Sequence, residues 1–494
     1  MIFVDTRKTS LPQNHINRND LKVSRLVQFR QELYDSFHTR ADVLMNLIDA
    51  ICSNTHAKSI AELSLNPIFR YQYPSIYDAI DQFFNAGDSD KPEAQRHNQD
   101  IQLMEMCLQY VPPPMQQRFW LFGLDVTPQP RPYAKTLADR TVVYHPNPVL
   151  SNKPIALGHQ YAALVYFPEK ASLCSPPWVV PLSMRRVKSE EKATDVHAQQ
   201  IAALMTTDGF ADANRLCVCV ADSTLGAVTF LGQVQSHQNL VTIARTRSNR
   251  VFYRRPKKRK NKRGHPIWYG DRFDLKDDAT WAAPDAVDSI ETVTKRGRKL
   301  TIELQGWDNL LMRGTRDYPM HKSPFTLIRI VVTDENGTPV FKRPMWLTVI
   351  GERRDQLSLV EVWRAYRQRV DVEHFFRFGK QRLLTSAYQT PDVEHEQNWW
   401  QITQLAYLQL FVARELAVAL PRPWERYLPA FSAQEVSSSM VMRDFLRIIG
   451  TIEPKPAFPK GRGKSPGRAK GERPKPRERQ KVIRKSKKRV KSAA

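Results

Sequence analysis

Apolar residues recur through the first hundred positions at the spacing of helices buried along one face. Leu26, Phe29, Leu33 and Phe37 follow one another at steps of three and four, and Leu44, Leu47, Ile48 and Ile51 repeat the pattern. Pro74-Ser75 opens a further helical segment, PSIYDAIDQFF. The pattern changes after VPPPM. The run from Arg118 to Thr127 (RFWLFGLDVT) and the later runs QYAALVYFPE and WVVPLSM are short, apolar and separated by turn residues, which predicts three strands in a meander. ATDVHAQQIAALMTTDGF reads as a helix. RLCVCVADSTLGAVTFLGQV reads as a buried strand ending at Asp222 with a helix after it, and NLVTIARTRSN as another strand. The order β-β-β-α-β-α-β predicts an α/β core.

Residues 246–355 break that rhythm. They are rich in basic residues, Gly, Pro and alternating segments such as FTLIRIVVTDENGTPVFKRPMWLTVIG, in which Glu335-Asn336-Gly337 marks a hairpin. This stretch predicts a β-rich insertion. LSLVEVWRAYRQRVDVEHFFRFGKQ then reads as one helix, and the polar PDVEHEQ leads into a second, NWWQITQLAYLQLFVARELAVAL. The last forty residues, rich in Lys, Arg, Pro and Gly, predict disorder.

Composition adds a partner to this picture. The net charge of +25 points to a polyanion. Lys455 to Ala494 hold 17 Lys/Arg against Glu472 and Glu478, and Arg245 to Arg263 hold 11 Lys/Arg and no acid. Two separate basic runs, one within the folded part and neither on an amphipathic helix, favour nucleic acid over membrane lipid. No apolar run reaches the length of a membrane span and no signal-peptide pattern opens the chain, so a cytoplasmic protein is expected. The five scattered cysteines (Cys52, Cys107, Cys174, Cys217, Cys219) read as reduced thiols in core positions rather than a zinc site.

Candidate chemistry centres on YRQRVDVEHFFRFGK, Tyr366 to Lys380. At 100° per residue, Tyr366, Arg369, Glu373 and Lys380 fall within roughly 60° of one another, while Asp371 lies about 140° from Tyr366. One carboxylate thus stands on a polar stripe of Tyr, Arg and Lys side chains, with Phe375, Phe376 and Phe378 packing to the sides. Arg369 and Glu373 alone make an ordinary i,i+4 pair worth about 0.3–0.5 kcal/mol. Together with Asp125 and Asp222, each expected at a strand end, Glu373 instead completes a three-carboxylate set of oxygen ligands suited to a divalent cation.

These motifs resemble the bacterial insertion-sequence transposases of the DDE class. Tyr366, Arg369, Glu373 and Lys380 match the family's Y-(2)-R-(3)-E-(6)-K signature. The order of LDVT, GHQY, WVVPLS and VADSTLG, then a β insertion and a glutamate helix, is also similar, over roughly residues 115–415. The resemblance implies an RNase H-like α/β catalytic core with a β-rich insertion, preceded by a helical N-terminal domain. Its expected boundaries are a helical domain over 1–115 (for DNA-end binding or for core building), the first part of the core over 116–245 and the insertion over 246–355. The second part of the core with the glutamate helix follows over 356–420, then a helical region over 421–454 and a disordered basic tail over 455–494. Asp125, Asp222 and Glu373 would be the catalytic acids and hold two Mg²⁺ or Mn²⁺. Reading Asp222 as the first acid instead would place the second at Asp308 or Asp334.

The resemblance further gives Tyr366, Arg369 and Lys380 as phosphate contacts near the cleaved end. Trp346 would stack a flipped base, or else be a core tryptophan. Arg245 and Arg247 would contact DNA near the site, or form a general basic surface. His159 reads as a satisfied structural histidine. The implied activity is cleavage of the element's ends and joining of their 3′-hydroxyls to target DNA by two-metal phosphoryl transfer. The implied partner is double-stranded DNA, bound by a homodimer in a synaptic complex with no membrane, in the bacterial cytoplasm and on the nucleoid. Another RNase H-like metal nuclease, or a non-catalytic DNA-binding derivative of a transposase, are the alternatives.

Overall fold

The computed structural model describes residues 18–83, 92–146, 154–172, 175–256, 266–294, 297–419, 435–452, 467, 469–473 and 475–484. The N-terminal region is helical as its periodicity predicts. It comprises α1 (Arg18–Asp35), α2 (Ala41–Cys52), α3 (Tyr73–Asp81) and α4 (Pro92–Gln109). Leu26, Phe29, Leu33, Leu44, Leu47, Ile48 and Ile51 are all fully buried. Their core is continuous with that of the rest of the chain rather than closed on itself.

The strands are β1 (Trp120–Pro130), β2 (Thr141–Tyr144), β3 (Ile155–Tyr166), β4 (Val180–Val187), β5 (Cys217–Ala221) and β6 (Leu240–Thr246). The helices α5 (Ala193–Thr206) and α6 (Val228–Val234) lie between the later ones. The predicted meander is β1, β3 and β4, paired antiparallel in turn. The short β2, which carries no clear periodicity, was not expected. β1, β5 and β6 run parallel. Every residue of β5 (CVCVA) is buried, as a continuous apolar run requires where both sheet faces are covered. This mixed α/β arrangement is consistent with an RNase H-like nuclease fold.

The stretch after β6 holds β7 (Val251–Tyr253), β8 (Arg272–Asp274), β9 (Ala286–Val293), β10 (Lys299–Leu310), β11 (Phe325–Asp334) and β12 (Met345–Ile350). It is β-rich as expected, and the turn after β11 closes with Gly337 N–H donating to the Asp334 carbonyl at 2.9 Å. It does not stand apart from the core. β12 pairs with β6, and β11, β10 and β9 follow outward in one ten-stranded sheet, β2-β3-β1-β5-β6-β12-β11-β10-β9 with β4 on β3.

The predicted long helix is two, α7 (Leu359–Gln368) and α8 (Val370–Arg382), interrupted at Arg369. Ser358 starts α7 with a capping box: its hydroxyl accepts from Glu361 N–H and the Glu361 carboxylate accepts from Ser358 N–H. The phenylalanines hold α8 against α9 (Val393–Ala419), with the Phe375 and Phe378 rings 4.7 and 5.8 Å from the Tyr407 ring. α9 packs in turn on α1, α2 and α4's neighbour β4. It begins inside the polar stretch PDVEHEQ and continues the helical N-terminal core. The chain's last described helix is α10 (Ser438–Ile449). Of the cysteines, Cys52, Cys107, Cys217 and Cys219 are buried free thiols, and Cys174 lies outside the described residues. No described helix is long and apolar enough to cross a membrane.

A buried charge cluster ties α9 to the end of β1. Glu396 accepts from Arg131 Nη1 at 2.6 Å, His159 Nδ1 at 2.7 Å and the Tyr161 hydroxyl at 2.9 Å. Arg131 also donates to the carbonyls of Tyr388 and Thr390, after α8. His159 is thus the satisfied structural histidine the sequence implies. Beside it, Gly158 faces Pro130 of β1 and Thr141 of β2. A Cβ at position 158 would lie 2.1 Å from the Gln129 carbonyl oxygen, so only glycine lets the strands close there. Glu396→Ala would strand Arg131 in the core. It is expected to destabilise the protein by about 3–5 kcal/mol, read as a lower urea midpoint at unchanged m-value.

Candidate catalytic site

Strand register alone brings the acids together. Gly123 is the last β1 residue paired with β5, opposite Val220. Continuing that register by two residues sets Asp125 beside Asp222. Ala221 pairs with Ala244 of β6, so the next step sets Asp222 beside Arg245. Asp125 is therefore not at the end of its strand, as the sequence suggested, but within β1 where its parallel neighbour ends. Pro128 and Pro130, which have no N–H to donate, lie beyond that point, where β1 pairs only with β3.

Each carboxylate is oriented locally. Asp125 accepts from its neighbour's Val126 N–H at 2.9 Å. Asp222 accepts from Thr224 N–H at 2.9 Å, the Thr224 hydroxyl at 3.0 Å and Leu225 N–H at 3.2 Å, a turn that fixes the carboxylate at the mouth of β5. Gly226 closes this turn against β6, where a Cβ would sit 2.9 Å from the Arg245 carbonyl oxygen. Glu373, in the first turn of α8, is exposed.

Arg369 joins them. Its guanidinium donates to Asp125 Oδ2 at 3.1 Å and to Glu373 Oε1 at 3.0 Å. Burial raises the Asp125 carboxyl to about 6 from 3.8. Arg369 opposes that rise, and the like charges of Asp222 and Glu373 add to it. Burial pulls the Arg369 guanidinium down, but Asp125, Tyr366, Glu373 and Asp222 together hold it above its ordinary value. Tyr366 is buried. Burial raises its phenol, and the charges of Arg369 and Arg245 oppose the rise. Five of the expected residues, Asp125, Asp222, Glu373, Tyr366 and Arg369, thus share one electrostatic cluster, with Arg245 at its edge. Asp371 points elsewhere, as the projection requires, and pairs with Lys170 at 2.6 Å.

Lys380 lies along the same helix but reaches β1. Its ammonium donates to Thr127 Oγ1 at 2.7 Å and to the Pro128 carbonyl at 2.8 Å, and burial lowers it to about 8. A phosphate contact from Lys380 would have to replace these bonds. Arg247 is exposed just beyond β6. Of the two readings offered for Trp346, its burial favours the core one. It is 1% exposed, packed at 5.2 Å from the Trp281 ring and 5.8 Å from the Trp307 ring, and as placed has no face open to a base. It lies in a strand whose residues from Trp346 to Ile350 are all buried, and takes the core role. The alternative acids are engaged elsewhere: Asp308 accepts from the Thr326 hydroxyl, and Asp334 pairs with Arg298 at 2.9 Å.

Two participants escaped the sequence. His197 of α5 is fully buried, with Nδ1 2.9 Å from Gln200 Oε1. Burial lowers it to about 4, while Asp222 acts on it in the opposite sense. Glu396 was read as part of a polar stretch. Its signal is its place three and four residues before the buried Trp399 and Trp400, which puts it on the inner face of α9.

With this geometry in hand, the comparison with known families is informative. A family model described as DDE superfamily endonuclease matches residues 32–306, more than half of the chain, and the chain belongs to that family. No curated protein matches the chain. The matched residues include Asp125 and Asp222 and end before α7 and α8. The family acts on DNA and uses divalent metals. Among the described residues no three His, Cys, Asp or Glu side chains stand close enough to hold one ion. The chemistry of the set nevertheless fits hard cations. All three acids supply oxygen, and the carboxyl of Asp125 is raised by burial and like charge, as befits a group short of positive partners. In this conformation the positive charge among the acids is Arg369.

A carboxyl whose folded value lies above its unfolded one costs stability once ionised. For Asp125 that cost is absent below about pH 4 and complete above about pH 6. Asp125→Asn is therefore expected to stabilise the metal-free protein by about 1–3 kcal/mol at pH 7–8. The gain should fade towards pH 4, as followed by urea unfolding in chelator across that range.

Proposed function

We propose that this protein is a DNA transposase that cleaves the ends of its insertion sequence and joins the resulting 3′-hydroxyls to target DNA. The observation that carries this reading is Arg369 bonded at once to Asp125 of β1 and Glu373 of α8, with Asp222 beside Asp125 in register. In this reading residues 116–245 and 356–420 form the catalytic core and 246–355 its insertion. Residues 1–115 take part in end recognition, and two copies bridge the two ends.

Asp125, Asp222 and Glu373 would hold two Mg²⁺ or Mn²⁺. Such a pair supplies activation of the attacking oxygen and neutralisation of charge developing at phosphorus. The chain's own contributions are positional. Asp222 is held by its turn and Asp125 by its strand, so neither carboxylate has to be ordered when substrate arrives. Arg369, planar and always charged, would turn from Glu373 towards a phosphate and grip it with two bonds. Tyr366 backs that guanidinium from its buried position. Lys380 would add a point charge further along β1, and Arg245 and Arg247 would hold the backbone at the β6 side. These phosphate contacts provide salt-dependent affinity without reading sequence.

The test uses purified protein with Mg²⁺ and a duplex carrying the ends of its own element. Cleavage at those ends and strand transfer into a plasmid are expected. Glu373→Gln should lower cleavage by at least 10³-fold while leaving duplex affinity within a few-fold. Undiminished cleavage by Glu373→Gln would sink the assignment of that residue. Cutting of branched or unrelated DNA without strand transfer would instead indicate a different nuclease on this fold.

A further inference from the structure

The basic tail was expected to be disordered throughout, yet part of it is docked. Residues 453–466, 468, 474 and 485–494 lie outside the described residues, but 475–484 lie against the loop that joins β1 to β2. Gln480 N–H donates to the Lys135 carbonyl at 2.9 Å, and Ile483 N–H to the Arg140 carbonyl at 2.9 Å. The Arg140 guanidinium, itself buried, donates to the Gln480 carbonyl at 3.5 Å and to the carbonyls of Leu137, Arg131 and Pro132. The contacts are to backbone, so they fix where the segment lies and leave its charged side chains facing water.

Those side chains are Lys475, Arg477, Arg479, Lys481 and Arg484, against the single acid Glu478, and all five are exposed. The loop beneath them adds exposed Lys135. Charge attraction does not bring this segment to this loop; like charges are instead concentrated there, which is the footprint of a polyanion site. The loop also continues the strand that carries Asp125. β1 covers about 17 Å from Asp125 to Pro130, so the seam begins about half a helical turn of duplex away from the acids. Lys380 bonds β1 between the two, at Thr127 and Pro128.

We propose that Lys475–Arg484, laid along the β1–β2 loop, is a fixed rail for the phosphates of the duplex on which the acids act, rather than a free tether. The proposal rests on the reading of the protein as a DNA-cleaving enzyme and adds where its duplex runs: from the acids along β1 and over this seam.

Three variants of the full chain separate the two ideas, using a 40-base-pair duplex and the slope of log K against log salt concentration. In the first, Lys475, Arg477, Arg479, Lys481 and Arg484 become Ser. In the second, Lys485, Lys487, Lys488, Arg489 and Lys491 become Ser, removing the same charge beyond the docked residues. In the third, Gln480→Pro and Ile483→Pro delete both anchoring N–H groups and no charge. At about 0.9 in slope per phosphate contact, the first is expected to lower the slope by about 4, the third by at least half as much, and the second by less than 1. A wild-type slope in the proline variant, or equal losses in the two charge variants, would overturn the rail. Wild-type cleavage is scored in parallel. If it is absent while the slopes follow the pattern, the enzymatic reading fails and the rail stands; if it is present while the proline variant is unchanged, the rail alone fails.

Discussion

The guanidinium of Arg369 holds together two carboxylates 244 and 4 residues away in the chain, Asp125 and Glu373. The constraint behind this contact is electrostatic. Register in the parallel strands places Asp125 next to Asp222, and α8 brings a third acid to the same end of the sheet. Burial of Asp125 makes that arrangement costly, visible as a carboxyl raised to about 6. A cation is needed among these acids, and in this conformation Arg369 supplies it. The interruption between α7 and α8 falls at this residue, whose own backbone stays in the right-handed helical region (φ −52°, ψ −32°).

Much of the remaining fold serves to keep this end of the sheet in place. The Arg131–Glu396–His159 cluster joins the end of β1 to α9 and to the segment after α8, so the strand bearing Asp125 and the helix bearing Glu373 are fastened at a second point. Lys380 fastens them at a third. Such buried ionic contacts are weak evidence for stability in themselves. Their effect here is to fix one geometry, as the proposed phosphoryl-transfer site would require.

The sequence was most legible where periodicity was strong. The N-terminal helices, β1, β3, β4, β5 and β6 follow their apolar patterns, and the stripe of Tyr366, Arg369 and Glu373 emerged from helical spacing alone, with Asp371 on the other side. Three things were not legible, for physical reasons. The break at Arg369 is a single residue whose backbone stays helical, which leaves the 3.6-residue period almost intact, so α7 and α8 read as one. Trp346 is packed in the core, but a tryptophan in a strand looks the same in sequence whether it meets a base or Trp281 and Trp307. The docked tail is held through backbone N–H groups at Gln480 and Ile483, and backbone bonds leave no mark on composition. The β strands after β6 were recognised as β-rich, but their joining of the central sheet depends on β12 pairing with β6, a contact about a hundred residues long-range that no local pattern encodes.

The claim that Asp125, Asp222 and Glu373 serve a common metal site can be tested without reference to turnover. Fe²⁺ exchanged for Mg²⁺ in the DNA-bound protein, with ascorbate and peroxide, cuts the polypeptide backbone within a few ångströms of the ion, and the fragments are mapped by mass spectrometry. Cuts near residues 125, 222 and 373 together, all suppressed by excess Mg²⁺, are predicted. Cuts near only one of the three, or clustered at Asp308 and Asp334 instead, would contradict the account.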